Sequence, residues 1–127
     1  MASELRVNTL KDASGNNSVA TSTVFSGSAK GWCYFDGTAG TPAFSDSFNG
    51  ASLTDVNTGQ YDMNFTSNMS NATYAGSFND SDRNDNQATS PQSASACRML
   101  NRRGIDALSA TDNDVLRGQF TVHGDLA

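Results

Sequence analysis

Short runs with an apolar pattern recur from Trp32 onward, separated by turn residues at the roughly 8–12-residue spacing of sandwiches and barrels. The clearest run is QYDMNFT, where apolar side chains at positions 61, 63 and 65 alternate with polar ones. This alternation predicts a strand with one buried and one solvated face. Long stretches with a helical period of 3.6 residues are missing. We therefore predict an all-β fold, either a β-sandwich or a jelly-roll-like domain.

The same pattern predicts six further strands, which we place at Trp32–Phe35, Pro42–Phe48, Ser52–Val56, Thr73–Phe78, Ala94–Asn101 and Val115–His123. Gly59 ends a turn after the third of these and is expected to take the positive φ of a short hairpin loop. Residues 79–93 and 102–114 are rich in polar and turn-forming residues, so we predict two long loops. The second loop is expected to contain a turn of helix at Asp106–Ser109.

The strand Trp32–Phe35 is apolar on both faces, because Trp32 and Tyr34 point one way while Cys33 and Phe35 point the other. A half-buried strand should instead alternate apolar with polar positions. We infer that one face packs into the domain's own core and that the other meets a neighbouring subunit. The sequence leaves open which face does which.

Residues 1–30 contain few large apolar side chains among many Ser, Asn, Ala and Gly, and cannot build a core of their own. Two interpretations remain open: a disordered tail, or an extended arm that winds with identical arms of symmetry mates. We divide the chain into this N-terminal arm, residues 1–30, and a β-domain, residues 31–127.

The composition fits a single β-domain with many turns. Ser, Thr and Asn make up 42 of the 127 residues, and charged residues only 17%, against about 25% in typical proteins. The chain retains 7 Phe, 3 Tyr and 1 Trp, unlike the charge-rich, aromatic-poor sequences of disordered proteins.

The charge pattern argues against nucleic acid as a partner. The net charge is −5, and only Arg98, Arg102 and Arg103 come close together, whereas phosphate binding needs a basic cluster. No run reaches the roughly 18 apolar residues of a membrane span, and the N-terminal sequence lacks the pattern of a signal peptide. We therefore expect no membrane insertion.

The sequence contains no G-x-S-x-G, H-E-x-x-H, Walker A or G-x-G-x-x-G motif, so we expect no catalytic activity and no cofactor. His123, the sole histidine, lies on the polar side of the last predicted strand. Asp46, Asp55 and Asp62 could supply the paired acids of a glycosidase, but acids at strand ends are commonplace. Cys33 and Cys97 are 64 positions apart, and two buried thiols are a better interpretation than a metal site or a disulfide.

The acidic run NDSDRNDN places Asp80, Asp82 and Asn84 at alternate positions, as calcium loops do. It fails the EF-hand pattern, since Asp85 replaces the turn glycine and Pro91 the bidentate Glu. We favour a solvated loop over an ion site.

A longer pattern covers residues 5–78. It comprises a first segment with Gly27, Ser28, Ala29, Lys30, Trp32, Phe35, Gly37 and Thr38, and a second with Asp46, Ser47, Phe48, Asn49, Ser52, Thr54, Asp55, Gly59, Tyr61 and Phe65, then Asn71 and Tyr74. With Gly124-Asp125 near the end, this pattern resembles tail fibre and related virion appendage proteins of marine bacteriophages. The chain departs from it at Gly31, where Ala is common, and residues 79–114 do not align.

The resemblance implies a homotrimer on the phage particle, with the arm as an attachment or shaft segment. The expected function is that of a short tail fibre which attaches to the host surface. Its expected partners are copies of itself, other virion proteins, and a host glycan or outer-membrane component. It would be located in the virion, after assembly in the host cytoplasm. The alternatives are an architectural capsid, neck or tail-adaptor appendage and, less favoured because no β-helical repeat is present, a polysaccharide depolymerase.

Two sets of residues follow as candidate sites. The expected oligomer interface comprises Leu5, Val7, Leu10, Trp32 and Tyr34, which are apolar side chains of the arm and of the doubly apolar strand. The expected receptor-facing loop residues are Asp80, Asp82, Arg83, Asn84, Arg102 and Arg103, since exposed variable loops are natural places for host contacts. Tyr74 or Phe78, if exposed, could stack on sugars.

Overall fold

The computed structural model describes residues 3–80, 86–103 and 111–127. Within them the chain forms eleven strands and one short helix. In chain order these are β1 Thr9–Lys11, β2 Ser18–Ala20, α1 Thr21–Gly27, β3 Gly31–Phe35, β4 Phe44–Phe48, β5 Gly50–Asn57, β6 Gln60–Phe65, β7 Ala75–Asp80, β8 Asn86–Ser93, β9 Ala96–Arg103, β10 Thr111–Asp112 and β11 Gly118–His123.

The strands form three antiparallel sheets. β1 and β2 make an isolated hairpin. The first sheet of the β-domain has the order β4-β3-β11-β7. The second has the order β10-β9-β6-β5, with β8 also paired to β9. The all-β prediction is confirmed, and the short helix α1 is an addition that the sequence pattern did not predict.

Both sheets of the β-domain contribute side chains to one core. The largest buried residues of the first sheet are Phe35 and Phe120, and those of the second are Tyr61, Met63 and Met99. Phe35 makes the aromatic contact between the sheets, because its ring centroid lies 4.9 Å from that of Tyr61. As the sequence predicted, the alternation in β6 places Tyr61, Met63 and Phe65 in this core.

Within the β-domain, two positive-φ residues set turns between successive strands. Gly59 has φ +67° between β5 and β6, so the predicted glycine turn is confirmed. A Cβ there would lie 2.5 Å from the carbonyl oxygens of Asn101 and Asn113. Asn49 has φ +59° and stands between β4 and β5, where the chain passes from the first sheet to the second. Asn tolerates this left-handed conformation better than most residues.

All seven predicted strands are present, with shifted ends, and the prediction of a loop over residues 79–93 is wrong. Residues 79–80 end β7, and Asn86–Ser93 form β8 on the outer side of β9. Pro91 is tolerated because β8 is an edge strand, with an irregular register after this residue. The second predicted loop is shorter than expected, since Arg102 and Arg103 belong to β9 and Thr111–Asp112 form β10. The predicted helical turn at Asp106–Ser109 lies outside the described residues.

The N-terminal segment has local structure that neither an unfolded tail nor a uniformly extended arm anticipates. A turn closed by Asp12, whose carboxylate accepts the backbone N–H groups of Asn16 and Asn17, joins β1 to β2. Thr21 then starts α1, and its hydroxyl contacts the carbonyl oxygens of Val7 and Asn8. None of the residues of β1, β2 or α1 is buried.

Candidate interaction surface

The two apolar faces of β3 have different surroundings. Cys33 and Phe35 are buried in the core, while Trp32 and Tyr34 point outward and are each 36% exposed. This assigns the faces that the sequence left open. The inward face packs in the chain's own β-domain, and the outward face is uncovered in the single chain.

A third aromatic side chain extends the outward face. Phe48, at the end of β4, is directly opposite Trp32 in the strand register and is 51% exposed. Residues that face each other across antiparallel strands have Cβ atoms about 4.5–5.5 Å apart, so these two rings are neighbours. We call Trp32, Tyr34 and Phe48 the aromatic strip. Phe48 was missing from the residues expected at an interface, because it joins the strip only through its pairing with Trp32 on the neighbouring strand.

Polar side chains border the aromatic strip on both sides. Asp46 lies opposite Tyr34 on β4, and Gln119 and Thr121 of β11 lie opposite Tyr34 and Trp32. All three border residues are exposed. Since β4 is the last strand of the first sheet, the strip lies next to a sheet edge, where unpaired backbone groups favour association with another chain.

The corner after β4 forms one end of this surface. Asn49 donates from Nδ2 to the carbonyl oxygens of Lys30 (2.9 Å) and Ser67 (3.0 Å), and its Oδ1 accepts the N–H of Ser67 (2.7 Å). These bonds fix the passage between the two sheets. An open hollow of about 260 Å³ lies here, lined by Phe48, Asn49, Thr66, Ser67 and Leu126.

Lys30 anchors α1 at the start of β3. It is only 3% exposed, its Nζ donates to the carbonyl oxygen of Phe25 and to Ser28 Oγ (2.8 Å), and it lies 3.9 Å from the centroid of the Phe25 ring. The backbone N–H of Lys30 donates to the carbonyl oxygen of Val122 at 2.7 Å. The end of the N-terminal segment is therefore fixed to the first sheet, although none of the apolar side chains of residues 3–30 is buried.

The N-terminal residues expected at the interface are exposed in the single chain. Leu5, Val7 and Leu10 all lie at the surface. Leu10 is directly opposite Val19 in the hairpin, and both side chains are exposed. They line an open hollow of about 310 Å³, together with Lys11, Asp12, Asn17 and Ser18.

The residues expected to face a receptor are scattered. Asp80 is 4% exposed and pairs with Gly118 at the end of β7, so the expectation of an exposed loop residue is wrong for it. Arg102 is exposed but belongs to β9, where its Nε lies 2.9 Å from Asp112 Oδ1. Arg103 ends the same strand. The positions 82, 83 and 84 (Asp82, Arg83, Asn84) lie outside the described residues.

The expectation that Tyr74 or Phe78 stacks on sugars is wrong, because both side chains are buried. The hydroxyl of Tyr74 donates toward the carbonyl oxygens of Ser93 (3.0 Å) and Ala96 (2.6 Å), and its ring packs edge-on against Phe65. Burial raises the pKa of the Tyr74 phenol well above its usual value. Tyr74 is therefore a structural residue that joins the core to the second sheet.

The outer face of the second sheet is polar, and its side chains form hydrogen bonds with one another. Asp62 and Arg98 are directly opposite each other on β6 and β9, and two hydrogen bonds of 2.8 and 2.9 Å join them. Asn64 Nδ2 lies 3.0 Å from Ser52 Oγ and 2.9 Å from Thr54 Oγ1. Asp62, one of the three acids considered for glycosidase chemistry, is therefore committed to a structural ion pair.

Asp112 lies at the end of this polar face. Gln60 donates to its Oδ2 at 2.9 Å, and Arg102 donates to its Oδ1 at 2.9 Å. These two bonds, the one from Gln60 first, lower the pKa of the Asp112 carboxyl below its ordinary value. Gln60 and Arg102 thus stabilise the ionised form of Asp112.

A partly buried polar cluster supports the turn between β5 and β6. Asp114 Oδ1 accepts the N–H of Gly59 at 2.8 Å and the hydroxyl of Tyr61 at 2.9 Å. Burial, followed by the bond and the charge of Asp114, raises the pKa of Tyr61. This cluster holds the turn in place, and a neutral phenol in the core is poorly suited to acid–base chemistry at neutral pH.

Cys33 and Cys97 are free, buried thiols, as the sequence interpretation favoured. Burial raises the pKa of Cys33 to about 12 and that of Cys97 to about 11. Thiolates are the reactive form of cysteine, so both side chains act as small apolar core residues. His123 is exposed on β11, as predicted.

Within residues 3–80, 86–103 and 111–127, no three His, Cys, Asp or Glu side chains come together as a metal site would require. The same residues contain no helix with the length and apolar character needed to span a bilayer. No family model, curated protein or solved structure matches the chain. Among the described residues, the aromatic strip and the N-terminal segment hold most of the large apolar side chains that are exposed.

Proposed function

We propose that this chain is a structural β-protein that assembles with copies of itself, and that it serves as an external appendage of a bacteriophage particle. Its specific role in this proposal is that of a short tail fibre which attaches the particle to the host surface. The distribution of uncovered apolar side chains supports this self-assembly.

Eleven large apolar side chains are at least 36% exposed among the described residues, and nine of them precede residue 49. They are Leu5, Val7, Leu10, Val19, Val24, Phe25, Trp32, Tyr34 and Phe48. Single exposed apolar residues are normal, whereas a concentration of them marks an interaction site. This concentration supports self-assembly through the N-terminal segment and the adjoining edge of the first sheet.

The proposed assembly is a homotrimer of β-sandwiches. The shared core of the two sheets supports a sandwich, and the resemblance to tail fibre proteins supports the number three. In this arrangement the N-terminal segments lie at one end of the assembly and bind other virion proteins, while the opposite ends of the domains bind a host glycan or outer-membrane component. The protein would be assembled in the host cytoplasm and located in the finished virion.

A purely architectural role in a capsid, neck or tail adaptor is the second candidate. It is favoured by the polar face of the second sheet, where the Asp62–Arg98 pair and the bonds of Asn64 occupy side chains that could otherwise bind a ligand. A depolymerase has less support, because Asp62 is engaged with Arg98 and the aromatic residues first considered for sugar stacking are buried.

Light scattering on the purified full-length protein tests the assembly, with an expected mass three times that of the 13.4-kDa chain. A monomer at micromolar concentration would overturn it. Electron cryomicroscopy of the intact particle tests the location, and adsorption of the purified protein to host cells tests attachment. Density for the chain at the neck or capsid, together with failure to adsorb, would replace the tail fibre with the architectural role.

A further inference from the structure

We propose that the β1–β2 hairpin of one copy covers the aromatic strip of a second copy, with Leu10 and Val19 facing Trp32 and Phe48. This inference rests on the proposed self-assembly and names the surfaces that meet. Its occupant is a segment of the same chain.

The hairpin requires a surface to pack against. Its two strands have three residues each, and all six residues are exposed. An isolated two-stranded hairpin is marginally stable in water unless a further element covers its apolar face. Leu10 and Val19 lie directly opposite each other and therefore share one face, and the hollow of about 310 Å³ beside them leaves room for a protruding side chain.

The aromatic strip supplies a matching apolar surface. Trp32 and Phe48 are adjacent on the outer face of the first sheet, and the strip continues into the corner hollow beside Leu126. Its position next to the edge strand β4 leaves it open to approach from the side. Both surfaces lose exposed apolar area if they meet, which is the main favourable contribution to protein association.

Charge does not oppose this contact, although the chain as a whole carries −5. The hairpin residues 9–20 contain one lysine and one aspartate, Lys11 and Asp12, and so bring no net charge. The N-terminal charges Glu4 and Arg6 pair with each other at 2.9 Å. A neutral segment can therefore approach the border of the strip, where Asp46 lies, without like-charge repulsion.

A second copy is the occupant that fits, because the chain's own hairpin leaves its own strip exposed. Lys30 fixes α1 to the start of β3 through Phe25 and Val122, and in this arrangement Leu10, Val19, Trp32 and Phe48 all remain at the surface. Each copy thus contributes one hairpin and one aromatic strip to contacts with its neighbours. Such a contact between unlike surfaces closes into a ring when the rotation between copies allows it.

Crosslinking between two full-length variants tests the contact. Val19→Cys is made in one tagged chain and Phe48→Cys in another, the chains are mixed and refolded together, and a short bis-maleimide is added. We expect covalent pairs that contain one chain of each kind. The native cysteines are buried and serve as an internal control in the unmodified protein. Leu116→Cys, an exposed apolar position outside both surfaces, replaces Phe48→Cys in the matched control and should give at least tenfold less product.

The outcomes separate this inference from the proposed function. Pairs of two Val19→Cys chains without mixed pairs would show that hairpins pack on each other, which overturns the inference while assembly stands. An intact oligomer without any crosslink would also overturn it. A monomer would overturn self-assembly itself. As a second measurement, Leu10→Ser is expected to raise the dissociation constant of the oligomer at least tenfold, and Val56→Ser, exposed elsewhere, should leave it unchanged.

Discussion

The outer faces of the two sheets carry different kinds of side chain. On the second sheet, Asp62 pairs with Arg98, and Asn64 reaches two hydroxyl groups on the neighbouring strand. On the first sheet, Trp32, Tyr34 and Phe48 occupy the corresponding outward positions and contact solvent. Both faces cover the same core.

One face is therefore complete within a single chain, and the other is not. Polar side chains on an outer face are satisfied by each other and by water, so the second sheet gains little from a partner. Aromatic side chains gain free energy whenever another apolar surface displaces water from them. The first sheet therefore faces a partner in our account, and the second faces solvent.

Adjacent residues of β3 give the largest contrast in stability. Phe35→Ala removes a fully buried ring between the sheets and should lower the free energy of unfolding by about 3–5 kcal/mol. Tyr34→Ala, one residue away on the outward face, should cost the isolated chain about 1 kcal/mol or less. Urea denaturation at a concentration where the protein is monomeric checks both values, and equal losses would contradict the assignment of the faces.

Asn49→Ala tests the corner that keeps the two faces on opposite sides of the core. The change removes the three hydrogen bonds to Lys30 and Ser67 and leaves alanine at φ +59°. We expect a loss of about 3–4 kcal/mol, from about 1 kcal/mol for each of the three bonds and up to about 1 kcal/mol of added backbone strain. Asn49→Gly loses the same bonds without the strain, so thermal denaturation should show it to be the milder variant. A glycine variant less stable than the alanine variant would refute this explanation.

Arg98→Ala tests the polar face. The Asp62–Arg98 pair is partly solvated, with 27% and 17% of the side chains exposed, so its removal should cost about 1 kcal/mol or less. The loss should shrink in high salt, and the mass of the oligomer should stay unchanged in light scattering. Dissociation caused by this substitution would place an interface on the face that we regard as complete.

The smallest expected effect is a pH dependence from Asp112. Its pKa in the folded protein is lowered by Gln60 and Arg102, so its contribution to stability is present above the unfolded-state pKa of about 3.9 and is lost as pH falls through the lower folded value. Asp112→Asn should therefore flatten the fall in unfolding free energy between pH 5 and pH 2 by a small amount. A steeper acid dependence in this variant would show the sign to be wrong.

The sequence predicted most of the strands because their apolar side chains alternate, as in β6, or cluster, as in β3. It missed β8 because an edge strand needs few apolar side chains when its backbone pairs with a neighbour, and residues 86–93 are mainly polar and contain Pro91. It missed α1 because seven residues are too few to establish a helical period. Local pattern therefore predicted the elements that build the core and failed for those at the edge.

The candidate surface was only partly predictable for a similar reason. The doubly apolar strand indicated an interface, but its outward face depends on the register between strands and on which side of the sheet is covered. Phe48 joins the strip only through its pairing with Trp32, a contact between residues that are distant in sequence. The roles of Lys30 and Asn49 also depend on contacts with distant backbone groups, which a local pattern cannot show.

The fluorescence of Trp32, the single tryptophan in the chain, reports whether assembly covers the aromatic strip. The emission maximum is measured over a dilution series of the full-length protein, with the mass followed by light scattering on the same samples. We expect a blue-shifted maximum in the oligomer and a shift to the red as the oligomer dissociates, because the indole is 36% exposed in the single chain. An emission maximum that stays constant while the mass changes would show that assembly leaves the aromatic strip uncovered.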